Sequence, residues 1–329
     1  MKKHSLGVLL VLAAAFMWSF SGVGVKRLTT LDSLSITGFR SIFTVPVLLI
    51  TIFLLYRDFK TSINSCIEGW KKPIVWGSAL FYAATLIFFI SSTKYTTAAN
   101  AIFLQYTAPI YAALFSKPIT GEKSGLWDWT AALICIFGMG FFFSGSLSTE
   151  GFWGNILGII SGITAAFNAM FLRLMNNRET ERHGVTSEKD FQNEKNGLGL
   201  TLPAVLLGNF IIICVTMPWM LKIGVPHLRE FAILSALGIF QLGIPYVFFI
   251  TGMAWVTAVE GIVIGTLEAV LNPIWTAFGA GEIPTSRSLL GGAIILVSIT
   301  IYGIFKPKKP SPSQTCPNSS ISHEIKASE

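Results

Sequence analysis

The sequence predicts an all-α integral membrane protein, with ten transmembrane helices forming two inverted five-helix repeats. Three observations predict it. The 329 residues are 52% apolar and 12% charged, with a mean hydropathy of +0.63, whereas about a quarter of the residues of a soluble domain are charged. Apolar runs of about 20 residues, the length a helix needs to cross ~30 Å of hydrocarbon, recur along the chain. The second half also repeats the order of features of the first.

The runs give ten spans: 6–25, 34–56, 73–92, 97–116, 126–144, 152–174, 199–221, 231–253, 257–278 and 286–305. Backbone groups must be paired inside lipid, which leaves helices or a closed barrel. Runs this continuous lack the alternation of a barrel strand. The first span opens on Met1-Lys2-Lys3-His4 and contains Ala13-Ala14-Ala15, as a secretory signal peptide would. It continues through Trp18 and Phe20 to Val25, which is long enough to cross. Span 2 carries Arg40 and Pro46; span 4 carries Asn100, Gln105, Tyr106 and Pro109; span 6 carries Asn168. Span 8 carries Gln241 and Pro245, and span 9 carries Glu260, Glu268 and Pro273. Each proline frees a carbonyl and permits a bend. Two polar stretches, 175–198 and 306–329, read as a solvated loop and a disordered cytosolic tail.

With the N-terminus in the cytosol, the cytosolic segments hold 17 of the 24 Lys and Arg residues, and 12 against 7 remain if the long 6–7 loop is ignored. Positive charge stays inside, so both termini are expected there. The same placement explains the net charge of +7 without nucleic acid. Four cysteines with no short spacing make a disulfide framework or a zinc site a poor expectation. No phosphate-binding glycine loop and no His-Glu-x-x-His motif occurs, and the four histidines fall outside the spans. No cofactor and no metal are expected, and energy must come from a gradient or from exchange.

Shifting the chain by 160 residues lays Thr97-Ala98 on Thr257-Ala258, Ile102 on Ile262, and Gly121-Glu122 on Gly281-Glu282. A shift of 147 lays Gly7 on Gly154 and Phe20 on Phe167. Residues 1–150 therefore read as one unit of five spans and 151–305 as a second. Because five is odd, the second unit enters the membrane from the opposite face, an arrangement characteristic of secondary transporters.

On these residues the chain resembles the drug/metabolite transporter superfamily, EamA type. The segment Thr266-Leu267-Glu268-Ala269-Val270-Leu271-Asn272-Pro273-Ile274-Trp275, ending at Gly281-Glu282, is similar to that family's second-half motif. Leu104-Gln105-Tyr106-Thr107-Ala108-Pro109-Ile110 through Gly121-Glu122 is the first-half version. Alanine follows Glu268 where the family usually has proline, and the 6–7 loop is longer than common. The resemblance implies a carrier of small organic solutes in a bacterial inner membrane, with a cavity between the halves lined by spans 1, 3, 4, 6, 8 and 9.

Ionisable groups inside spans mark the site, because a mid-membrane charge costs about 2.5–3.5 kcal/mol. Glu268 sits near the middle of span 9, with Glu260 two turns earlier, and on a continuous helix both face one side. They are read as groups that bind a cationic substrate or carry a proton. The alternatives are a neutral, hydrogen-bonded glutamate within the bundle or, for Glu260, a carboxylate reaching the interface. Arg40 either holds a substrate carboxylate or fixes the end of its helix. Gln105 and Tyr106 are the first-half candidates opposite span 9, joined by Asn168 and Gln241 as polar lining. Trp18, with Phe20, Tyr82 and Trp255, is a candidate aromatic wall. Gly121, Glu122, Gly281 and Glu282 are read as structural, their carboxylates meeting the positive end of the next helix. Two glutamates against one arginine favour an amine-bearing solute such as an amino acid or an amino-acid-derived cation. The expected partners are that solute, the bilayer, and a proton or exchanged solute. An integral-membrane enzyme acting on a lipid-linked substrate, and a channel or helper subunit, are the alternatives.

Overall fold

The computed structural model describes residues 2–96, 98–121, 124–143, 152–183 and 190–280, together with positions 286, 290, 293, 294, 297 and 301. Among the described residues every regular element is a helix. Span 1 is α1 (Lys2–Trp18) followed by the short α2 (Ser21–Lys26). Span 2 is α3 (Ser33–Tyr56), started by Asp32, whose carboxylate accepts from the Ser35 amide at 2.9 Å. An Asp at this position satisfies an amide that the first helical turn leaves unpaired. Span 3 is α5 (Pro73–Tyr95), opened by a proline at the one place where its missing N–H costs nothing. Between them lies α4 (Phe59–Trp70).

Span 4 is two helices, α6 (Ala98–Gln105) and α7 (Ala108–Thr120), and span 5 is α8 (Leu126–Phe143). Spans 6 and 7 are α9 (Phe152–His183) and α10 (Asp190–Ile223). Span 8 runs through α11 (Leu228–Ala236), a π-helical segment at Leu237–Gly243, and α12 (Ile244–Gly252). Span 9 is broken into α13 (Ala258–Gly265) and α14 (Leu267–Ala280). The breaks in spans 4 and 9 obey the 160-residue register, since α6 and α13 each have eight residues and end at Gln105 and Gly265. Span 10 lies largely outside the described residues.

Among the described residues six helices are long and apolar enough to cross a membrane: Lys3–Val25, Ser33–Tyr56, Pro73–Tyr95, Phe152–Met175, Leu198–Ile223 and Leu228–Gly252. Their outward faces are apolar, with Leu9, Ile50, Leu54, Leu80 and Leu221 all exposed. A surface of this kind belongs against acyl chains, and the chain is a multi-pass membrane protein.

Inside, α5 packs along α9, α1 along α12, and α3 along α10. Lipid supplies no hydrophobic drive between helices, so close packing depends on small residues. At the α1–α12 crossing a Cβ on Gly252 would lie 2.8 Å from the Gly7 carbonyl oxygen, and one on Gly7 would lie 3.0 Å from the Gly252 oxygen. The core gathers Leu48, Tyr82, Met170, Leu172, Leu206 and Ile250 into one cluster.

Residues 57–72, between spans 2 and 3, contain the twelve-residue α4, anchored by the Trp70 indole donating to the Pro203 carbonyl at 3.0 Å. One sequence reading is corrected. The stretch 175–198, taken as a solvated loop, is entered from both sides by helix: α9 runs on to His183 and α10 starts at Asp190. The tail 306–329 lies outside the described residues.

Candidate functional site

Two helix breaks create the site, one between α6 and α7 and one between α13 and α14. A helix that stops inside a packed bundle leaves backbone polar groups that need partners or a cavity. Where α13 ends, the Thr266 hydroxyl folds back onto the Val263 carbonyl at 2.7 Å, and α14 starts again with Glu268 in its first turn. Where α6 ends, the Thr107 hydroxyl donates to the Leu104 carbonyl at 2.6 Å, and Pro109 opens α7. The break is seated on α9, because a Cβ on Gly162 would lie 2.8 Å from the Gln105 carbonyl oxygen and 2.9 Å from that of Leu104.

Between these breaks and helices α1, α3, α5, α9 and α12 lies a cavity of about 140 Å³. A water occupies roughly 10–15 Å³ on this measure, so the space holds on the order of ten water-sized groups. Seven of the eight expected binding residues line it: Trp18, Arg40, Gln105, Tyr106, Asn168, Gln241 and Glu268. Residues more than 200 positions apart in sequence meet there, as packing rather than local propensity requires.

The Tyr106 hydroxyl, from the first half, donates to a Glu268 carboxylate oxygen at 2.8 Å and lies 3.1 Å from the Gly265 carbonyl oxygen. That bond joins the two breaks across the cavity. On another part of the wall the Arg40 guanidinium donates to the Gln241 side-chain oxygen at 2.5 Å, and the Gln241 amide donates to the Trp18 carbonyl at 3.1 Å. Asn168 accepts from the Ser78 hydroxyl at 3.4 Å. The Trp18 ring lies 5.2 Å from both Tyr246 and Phe249, forming an aromatic wall. Arg40 is buried, and of its two sequence readings the helix-end one gives way: it is the eighth residue of α3, about 10 Å along the helix axis.

Glu260 is placed elsewhere. It is the third residue of α13, where its carboxylate accepts from the Thr257 amide at 3.4 Å while the Thr257 hydroxyl accepts from the Glu260 amide at 3.2 Å. Its other oxygen lies 2.9 Å from His4 Nε2. This is a reciprocal helix cap, and Glu260 does not line the cavity. The expectation of a shared face assumed an unbroken helix, and the break at Thr266 separates the two acids. Of the proposed aromatic walls, Tyr82 is fully buried and accepts from Asn209 at 3.0 Å, while Phe20 stacks on Trp275 at 4.8 Å between ring centres. Trp255 lies against Gly7. Gly121 ends α7 in the left-handed region at φ +74°, a conformation glycine adopts without cost. Glu122, Gly281, Glu282 and the Asn100 side chain lie outside the described residues.

The sequence reading missed Ser21, Thr85, Phe89, Tyr246 and Phe249 in the lining. Ser21 follows the kink in span 1 and Tyr246 follows Pro245, so local helix irregularity was the available signal for those two. Ala108 also lines the cavity, and in the 160-residue register it stands where the second half has Glu268. The acid therefore belongs to one half only.

Residues 5–144 match the EamA-like transporter family. An "Uncharacterized transporter" of Archaeoglobus fulgidus (strain ATCC 49558 / DSM 4304 / JCM 9628 / NBRC 100126 / VC-16) is 25% identical over 254 residues, covering 77% of this chain and 85% of the relative. "Solute carrier family 35 member G1" of Mus musculus is 25% identical over 134 residues, covering 41% of this chain and 35% of the relative. A crystal structure of another protein superposes with a TM-score of 0.69 at 15% identity, covering 91% of this chain and 97% of that one, a likeness of fold.

Proposed function

We propose that this chain, which carries an EamA-like transporter family domain over residues 5–144, is a secondary active carrier that moves a small amine-bearing organic solute by alternating access. The observation that carries the reading is the Tyr106–Glu268 contact at 2.8 Å in the wall of a central cavity. A carboxylate at that depth is costly unless it serves a cation or a proton.

Ten spans in two inverted repeats belong to this reading. Exchanging the halves maps the packing of α5 on α9 onto that of α12 on α1, α6 on α9 onto α13 on α1, and α7 on α9 onto α14 on α1. The breaks at Gln105 and Gly265 share the 160-residue register. A carrier also needs a closed face. At the end bearing His4 and Glu260, the glycine crossing of α1 and α12 is tight, and Arg173 donates to the carbonyls of Met253 at 3.2 Å and Ala254 at 2.8 Å. The placement of Lys and Arg supports reading this as the cytosolic end, with both termini inside; a bacterial inner membrane is what the family resemblance implies.

The enzyme alternative requires a cluster of acids or histidines, and the cavity lining brings together one carboxylate. The reading is tested by saturable counterflow in proteoliposomes: an internal pool of the solute should accelerate uptake of labelled solute. Uptake that never saturates would indicate a channel, and conversion of the solute an enzyme.

A further inference from the structure

We propose that Arg40, oriented by Gln241, is an anion subsite that takes a carboxylate of the transported solute while Glu268 takes its ammonium group. The inference rests on the carrier reading above and deepens it, from an amine to a solute with both charges. Arg40 is 4% exposed and lines the cavity. Burying a guanidinium is expensive without a counter-charge. Its hydrogen bond is to the neutral Gln241 side chain, which offers a dipole and no charge. Its Nε is buried without a partner, and among the described residues no carboxylate forms an ion pair with it. The cation is thus held at the cavity wall with no carboxylate in direct contact among the described residues, while Glu268 stands elsewhere in the same lining.

The position is built. The Thr44 hydroxyl lies 2.9 Å from both the Arg40 and the Gly238 carbonyl oxygens, stapling α3 to the π-helical segment. A Cβ on Gly238 would sit 2.6 Å from the Arg40 oxygen, so this close approach needs glycine. The π segment, a widened turn often found at functional sites, carries Gln241. Gln241 in turn is tied to the Trp18 carbonyl at 3.1 Å. Elements α1, α3 and the π segment together fix one guanidinium, and a planar donor fork matches a carboxylate.

Charge balance selects the ligand. The lining presents one cation and one carboxylate, Arg40 and Glu268. A solute bearing one carboxylate and one ammonium neutralises both and enters a low-dielectric space with no net charge. A phosphate dianion at Arg40 would face the Glu268 carboxylate and is disfavoured.

The test is a thermal-shift titration of the purified full chain with the twenty proteinogenic amino acids, each beside its amide, its decarboxylated amine and its deaminated acid, and with inorganic phosphate. At least one amino acid should bind ten or more times tighter than its amide and its amine. Arg40→Gln should erase that preference while leaving amine binding in place, and Arg40→Lys, which keeps the charge should Arg40→Gln fail to fold, should recover only part of it. Amides and amines binding as tightly as their amino acids would overturn the anion subsite and leave an amine carrier standing. Deaminated acids that bind tightly and depend on Arg40 would keep the subsite and overturn the amine reading of Glu268. Phosphate binding tighter than any amino acid would overturn the carboxylate assignment, and a chain stabilised by none of these probes would overturn both readings.

Discussion

Glu268→Gln removes a charge from the cavity and leaves the shape of the side chain. In the present structure Glu268 accepts the Tyr106 hydroxyl at 2.8 Å. The glutamine side-chain oxygen can still accept that bond, so the fold should survive and the melting temperature should move little. What disappears is the partner of a solute ammonium. Hydrogen bonds to charged groups contribute about 1.5–3 kcal/mol, and each ~1.4 kcal/mol is a factor of ten. Affinity for an amine-bearing solute should fall about 10- to 150-fold. The assay is counterflow in proteoliposomes across a range of solute concentrations, with thermal shift as the control for folding. Counterflow with the affinity of the parent chain would remove Glu268 from the site and refute the reasoning built on its depth.

Tyr106→Phe deletes the donor to Glu268 and should weaken solute binding by about tenfold, through loss of one charge-assisted bond of about 1.5 kcal/mol; unchanged binding would show that the bond is not part of the site. Glu260→Ala should lower thermal stability by about 0.5–2 kcal/mol, the range for lost caps, while the affinity measured in counterflow stays put, because Glu260 caps α13 outside the cavity. Gly162→Ala should push α9 away from the Gln105 and Leu104 carbonyls, costing about 1–3 kcal/mol as an overpacked contact and weakening solute binding too; a variant as stable and active as the parent would contradict the seating of the break. Asp32→Ala should cost about 1 kcal/mol through loss of the α3 cap. Burial pushes the Asp32 carboxyl up, but the Ser35 hydrogen bonds outweigh it and hold the group below its ordinary 3.8. The cap therefore stabilises fully above that value and less as pH falls through the lowered one, so melting curves of the two chains should converge in acid.

Six of the expected spans were legible because length and apolarity are what a bilayer demands of a helix, and these requirements are local. Most of the polar cavity lining was legible for the related reason that polar groups in apolar runs need a place to go, and Arg40, Asn168, Gln241 and Glu268 share one cavity. What could not be read was departure from a regular helix. The π segment at Leu237–Gly243 leaves no compositional trace. The break at Thr266 was not anticipated, and an angle count on a continuous helix put Glu260 in the cavity lining, where it is absent. Helix α4 escaped because its polar residues, Lys60, Asn64 and Glu68, mask a row of apolar ones, Phe59, Ile63 and Ile67. Tyr246 and Phe249 went unnoticed for the opposite reason, since an aromatic residue in an apolar run carries no signal of which face it takes.

The central claim is that one cavity serves both sides of the membrane in turn, and side-specific labelling tests it most directly. Ala165 lines the cavity on α9, and a cysteine there, with the four native cysteines replaced, reports access without touching Arg40 or Glu268. In a transport-active Ala165→Cys chain, a membrane-impermeant maleimide should react from either face, and saturating solute should slow both reactions. Reaction from one face only in a chain that still transports, or no reaction with the aqueous reagent from either face, would contradict the account.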